Sequence, residues 1–199
     1  MKQIEIKATI EKLIDTFLYA GKVSIELREK GLIKEIKEDN TPVSNGDLEV
    51  NRILTEKIND LTPQIPIVSE ETSHNKSKKD LKNFWLIDPI DGTYDYINDL
   101  DEFTLNAGLI INNRAVAGII YAPAKNRFFY SYEKGCSFEI INNKHVKLDC
   151  SKISSNKLKF VSYSNKLKPE INKIYQSMNV TEFKRMKSSL KFCVIASNE

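Results

Sequence analysis

Two aspartates three positions apart, Asp88 and Asp91, stand at the exit of a short apolar run in Phe84-Trp85-Leu86-Ile87-Asp88-Pro89-Ile90-Asp91-Gly92-Thr93. Carboxylate oxygens are hard donors of the kind that hold divalent cations. Phe84 to Ile87 reads as a buried strand, being rich in aromatic and β-branched types. Pro89 cannot donate to a sheet ladder and Gly92 opens backbone angles closed to other residues. The strand is therefore expected to end at Asp88, with both carboxylates at the turn that follows. Thr93 to Asn98 then reads as a short helix. The unpaired N–H groups and positive dipole end of a helix start suit a phosphate. One turn thus supplies both halves of a metal-assisted phosphatase site. The same residue types are ordinary turn formers, so these ten residues alone leave a plain loop open.

Further candidates flank the turn. Ile65 to Ser69 reads as a short strand, with Glu70-Glu71 at its end, and at least one of these glutamates is expected to face a cleft. Asp47 follows Ser44 in an S-x-x-D pattern, the signature of a helix cap. Ser188-Ser189-Leu190-Lys191 precedes an apolar helix, Phe192 to Ala196. Two serines there either cap the helix or hold a ligand phosphate, with Lys191 adding charge. His74 lies in the polar stretch Ser73 to Lys82, a surface loop, and His145 on a strand edge; neither reads as a ligand.

These residues need elements to hold them. Ile6, Ile10, Leu13, Ile14, Phe17, Leu18 and Leu27 recur at helical spacing, predicting a helix from about Ile4 to Glu29 ended by Gly31 and weakened by Gly21. Lys34 to Gly46, with Lys37 and Asp39, reads as a polar loop, and Val50, Ile53, Leu54, Ile58 and Leu61 mark a second helix. From Thr104 the pattern is β: Leu105 to Ile111, Ala115 to Tyr121, Phe128 to Tyr132, Ser137 to Ile141 and His145 to Leu148, with Asn112-Asn113 and Asn142-Asn143 as hairpin turns. This is an antiparallel meander, which predicts an α+β rather than a doubly wound fold. Ser151 to Lys157 reads as a subdomain boundary, dividing residues 1–150, the metal- and phosphate-binding part, from a partial α/β subdomain at 151–199. In the latter, Leu158 to Tyr163 and Glu182 to Arg185 read as strands and Lys168 to Met178 as a helix.

The chain has 199 residues, 41% hydrophobic and 29% charged, and 30 basic against 27 acidic side chains give a net charge of +3. That balance is too mild to indicate nucleic acid and is compatible with a small anionic substrate. Cys136, Cys150 and Cys193 are odd in number and lack metal-ligand spacing, which fits a reducing cytoplasm. The first residues show no signal peptide, and no apolar run approaches the ~20 residues that span a bilayer.

With Asp88-Pro89-Ile90-Asp91-Gly92-Thr93 as its signature, the chain resembles the inositol monophosphatase superfamily of metal-dependent, lithium-sensitive phosphatases. Within it the likeness is to the bacterial 3′(2′),5′-bisphosphate nucleotidases. Four stretches carry that likeness: Lys37-x-Asp39-x-Thr41-Pro42-Val43-Ser44-x-x-Asp47, Glu102-Phe103-Thr104-x-Asn106, Gly118-x-x-Tyr121-Ala122-Pro123 and Ser188 to Cys193.

The resemblance implies a layered αβαβ(α) sandwich with an incomplete C-terminal subdomain. It implies two or more Mg²⁺ ions and hydrolysis, by a water that they activate, of the 3′-phosphate of 3′-phosphoadenosine 5′-phosphate in sulfate assimilation. Glu70, Asp88 and Asp91 match metal carboxylates, with the Ile90 carbonyl as a further ligand. Asp47 and Thr93, with Glu70, match the groups that act on the water; Gly92 and Thr93 match the phosphate cradle; Ser189 and Lys191 lie toward the nucleotide. Inositol phosphates and fructose bisphosphate are the alternative substrates, and a non-catalytic binder of phosphorylated nucleotides is the alternative class. Departures from that branch are Tyr94-Asp95-Tyr96 where Lys-Glu-Phe is common, Gly46 for alanine and Lys187 for glycine. A later Trp-Asp-x-x-Ala motif, whose aspartate is another ligand, has no counterpart: the only Trp is Trp85 and no Asp follows Asp149. The sequence is accordingly read as either a fragment or a shortened variant, with an exposed apolar edge that favours a homodimer.

Overall fold

A computed structural model of the chain describes residues 3–37, 40–72, 81–151, 158–164 and 167–199. Asp39, His74, most of the 73–82 loop and positions 152–157 of the expected boundary lie outside the described residues.

The first amphipathic stretch forms one helix, α1 (Gln3–Lys30), and the chain leaves it at Gly31, whose φ of 92° suits only glycine. The stretch expected as a polar loop instead holds a small antiparallel pair, β1 (Lys34–Ile36) and β2 (Pro42–Ser44). Three-residue strands with little apolar content leave no readable period, so only the tertiary pairing reveals them. The second helix, α2 (Asn45–Leu61), starts with a complete capping box in which Ser44 and Asp47 satisfy each other's backbone ends.

A seven-stranded sheet follows, in the order β3 (Ile67–Ser69), β4 (Phe84–Asp91), β5 (Thr104–Ile111), β6 (Arg114–Ala122), β7 (Arg127–Glu133), β8 (Cys136–Ile141) and β9 (Lys144–Lys147). Only the β3–β4 pair is parallel; the rest is the antiparallel meander the sequence predicts. Asn112-Asn113 and Asn142-Asn143 all have φ between 49° and 61°, the left-handed pairs that tight hairpins require.

The inner sheet face packs on α1 and α2. Trp85, Ile87, Leu105, Leu109 and Ile119 meet Ile10, Leu13, Phe17, Leu54 and Ile58 in one core. Burying each such aliphatic side chain stabilises the fold by roughly 1.5–3 kcal/mol. The Trp85 indole N–H donates to Thr62 Oγ1 at 3.0 Å, so the largest core side chain leaves no unsatisfied donor.

The last quarter holds a parallel pair, β10 (Leu158–Ser162) and β11 (Val180–Arg185), connected through α4 (Pro169–Ser177). The final helix, α5 (Leu190–Ala196), packs Leu190, Cys193 and Val194, with Met186, against Ala122 and Phe129 of the large sheet.

Candidate functional site

The central strand does not end at Asp88. It continues to Asp91, where Asp88 pairs with Asn106 and Asp91 with Thr104, three steps on β4 against two on β5. The extra residue is a bulge, and Pro89, which has no N–H to lose, lies inside it. The bulge delivers both aspartates from one strand to the sheet's end. Gly92 then turns the chain with φ 99°, and a Cβ there would lie 2.6 Å from the Glu102 carbonyl oxygen. The helix that follows, α3 (Thr93–Ile97), is the short one expected.

Asp88 is the electrostatic centre. Burial, with the Glu70 and Asp91 carboxylates beside it, pushes its carboxyl up to about 8, and it shares a hydrogen bond with Glu70. Its Oδ1 is buried with no hydrogen-bond partner among the described residues. The backbone N–H of Glu70 donates to the Ile87 carbonyl at 3.0 Å, which fixes the β3 exit beside β4.

Asp47 is buried within the first turn of α2. Its Oδ2 accepts from the Ser44 N–H at 2.8 Å and the Ser44 hydroxyl at 2.6 Å. Its Oδ1 lies 3.1 Å from the Thr93 hydroxyl, which is also 3.0 Å from the Ile90 carbonyl. Asp47 is thus both the capping acid and the partner of Thr93. Burial raises its pKa, against the opposing bonds from Ser44 and Thr93.

Glu70, Asp88, Ile90, Asp91, Gly92, Thr93 and Asp47 therefore surround one turn. Their carboxylates do not form a finished cage. Among the described residues no three His, Cys, Asp or Glu side chains stand together as a cation site. Two of the carboxylates bond to other groups. Asp91 Oδ2 accepts from both the N–H and the hydroxyl of Ser189, each at 2.6 Å. Glu70 lies 3.4 Å from the Lys37 ammonium, which is 2.7 Å from Glu71. Burial works against the Lys37 charge, but Glu71 and Glu70 outweigh it and raise its pKa. Of the two glutamates, Glu71 is the inward one: its side chain is 4% exposed against 44% for Glu70.

The donor set nonetheless fits a hard divalent cation. It is all oxygen, it sets Glu70 and Asp91 beside a buried Asp88, and it leaves Asp88 Oδ1 unpartnered among the described residues.

Ser189 and Lys191, read from sequence as lying toward the nucleotide, each bond within the chain. Ser189 holds Asp91, and the Lys191 ammonium donates to the Lys187 and Ser188 carbonyls at 2.9 and 3.1 Å. Sequence reading missed two partners. Lys37 carried no role, although a lysine two residues before Asp39 in the matched stretch was a usable signal. Asn106, opposite Asp88, also has a buried Oδ1 without a partner among the described residues. Both residues line a cleft of about 460 Å³ between the outer sheet face and α5.

The layered α+β architecture is shared with solved phosphatases. The chain superposes on an IMPase/NADP phosphatase complexed with Mg²⁺ and phosphate with a TM-score of 0.75, covering 95% of this chain and 71% of that one at 14% identity. Sequence gives the family as well as the fold: the inositol monophosphatase family model matches residues 6–199, and the chain belongs to that family. It is 35% identical over 141 residues to a 3′(2′),5′-bisphosphate nucleotidase CysQ of Aggregatibacter actinomycetemcomitans, covering 70% of this chain but 52% of the relative. It is 30% identical over 190 residues to the protein of that name from Buchnera aphidicola subsp. Acyrthosiphon pisum, covering 94% of this chain and 71% of the relative. The chain thus spans about half the length of the first of these relatives.

Proposed function

We propose that the chain is a Mg²⁺-dependent phosphomonoesterase that removes the 3′-phosphate from an adenosine 3′,5′-bisphosphate. The observation that carries this reading is the buried Asp88 Oδ1, without a partner among the described residues, beside Glu70 and Asp91 and one turn from a Thr93–Asp47 pair. The likeness to bisphosphate nucleotidases supports the substrate class.

Glu70, Asp88, Asp91 and the Ile90 carbonyl are the groups that would hold the cations. A bound divalent cation supplies Lewis-acid polarisation of the ester phosphate and makes a water acidic enough to lose its proton near neutral pH. The chain's own residues do the rest. The Gly92 and Thr93 N–H groups orient the phosphate as the chain enters α3. The Thr93 hydroxyl donates to Asp47, which leaves its lone pairs able to accept from a water. Asp47, buried and more basic than an ordinary aspartate, draws the proton through Thr93 Oγ1. The Ser44 bonds hold Asp47 in that line.

Phosphate release should be measured on adenosine 3′,5′-bisphosphate, inositol 1-phosphate and fructose 1,6-bisphosphate with and without Mg²⁺. The bisphosphate should be cleaved fastest, and only with the cation. Asp88→Asn should abolish release while the circular dichroism spectrum stays native. Metal-independent turnover, or an active Asp88→Asn variant, would refute the reading.

A further inference from the structure

The ammonium of Lys187 lies 2.5 Å from Asp95 Oδ1 and 5.5 Å from the centre of the Tyr94 ring. The three residues join segments 92 positions apart: Tyr94 and Asp95 belong to α3, whose first residue is Thr93, and Lys187 stands two residues before Ser189, which grips Asp91. Lys187 is therefore on the rim of the proposed site, reached from both sides of it.

Buried neighbours flank this placement. Met186 and Ser188 on either side of Lys187 are buried, and its backbone N–H lies 3.4 Å from Glu102 Oε2. Asp95 is 3% exposed at its side chain and orients the ammonium, while the Lys187 side chain keeps 28% exposure and Tyr94 as a residue is 65% exposed. An ammonium has three donors. Asp95 takes one and the ring face attracts the charge without consuming an N–H. Donors remain for an outside anion, beside an exposed aromatic surface. Elsewhere the site is dominated by carboxylates, and its other ammonium, Lys37, is already bonded to Glu70 and Glu71, so the site repels any phosphate that cations do not neutralise. A pre-oriented lysine at the rim answers that repulsion for an anionic group lying away from the reaction centre.

Resting on the proposed function, we infer that Lys187, aimed by Asp95, is a specificity-determining residue that binds the substrate phosphate that is not cleaved. It makes the protein a reader of doubly phosphorylated nucleotides. An ester with one phosphate, the one being removed, offers Lys187 nothing.

The test is calorimetric, on the intact chain with adenosine 3′,5′-bisphosphate and with 3′-AMP, which lacks the second phosphate. Removing Lys187 alone would strand a buried Asp95 charge and endanger the fold, so the variant is the double change Asp95→Asn with Lys187→Met, alongside Lys187→Arg. The wild type should bind the bisphosphate more tightly than 3′-AMP. The double variant should lose about tenfold of that preference, the effect of one charge-assisted contact, and Lys187→Arg should keep most of it. A wild type that does not discriminate, or a double variant that discriminates as well as the wild type, overturns the inference. Discrimination in binding with no phosphate released from either compound would instead refute the catalytic reading and leave this one standing.

Discussion

At the scale of single residues, Asp88 sets the terms. Its folded pKa of about 8 lies above the ordinary 3.8, and the cause is burial joined by the charges of Glu70 and Asp91. Between those values the metal-free folded chain keeps a proton that the unfolded chain has released. The stability from this group is therefore complete below about pH 4 and is lost as pH rises through about 8. Asp47 is shifted in the same direction. The metal-free chain should accordingly melt at a lower temperature at pH 8 than at pH 5. Asp88→Asn should flatten that slope and raise the pH 8 midpoint by roughly a few degrees, which thermal unfolding followed by circular dichroism will show. An Asp88→Asn variant with the wild-type slope would contradict the shift. Residue types made much of this legible. Two aspartates, a proline and a glycine at fixed spacing announced an acidic turn. The partners were not legible: Lys37, Ser189 and Lys187 reach Glu71, Asp91 and Asp95 across 34, 98 and 92 positions, and no local pattern encodes such contacts.

At the scale of elements, periodicity fixed what it acts on directly. The long helix, the capped second helix and the hairpins with paired asparagines all follow from local spacing and turn chemistry. The sequence reading stopped β4 at Asp88 because proline ends a regular ladder. The strand runs to Asp91 because a bulge absorbs the proline, and a bulge depends on the partner strand. Gly21 carries a similar lesson. On propensity it weakens α1, and alanine in its place would gain about 1 kcal/mol. In the fold, a Cβ there would sit 2.2 Å from the Tyr121 ring and 3.0 Å from Pro123, where α1 crosses β6. The glycine is a packing residue. Gly21→Ala should lower the melting midpoint, contrary to helix propensity, by displacing the buried Tyr121 ring. A raised midpoint would show that the ring moves aside freely.

At the scale of the molecule, the candidate site is where distant segments meet. Glu70 leaves β3, Asp88 and Asp91 end β4, Asp47 and Thr93 open two helices, and Ser189 brings the segment before α5 onto Asp91. None of the described helices is long and apolar enough to cross a membrane. A cation bound among these carboxylates would neutralise the charge that strains the turn and stabilise the whole chain by linkage, by about 2.7 kcal/mol at a hundredfold excess over its dissociation constant. The decisive measurement is the melting midpoint at pH 8 as Mg²⁺ is titrated into the wild type and into Asp88→Asn. The wild-type midpoint should climb by several degrees and saturate, while that of the variant, already higher without metal, should stay where it is. Equal shifts in both proteins, or a flat wild-type curve, would mean that these oxygens hold no cation.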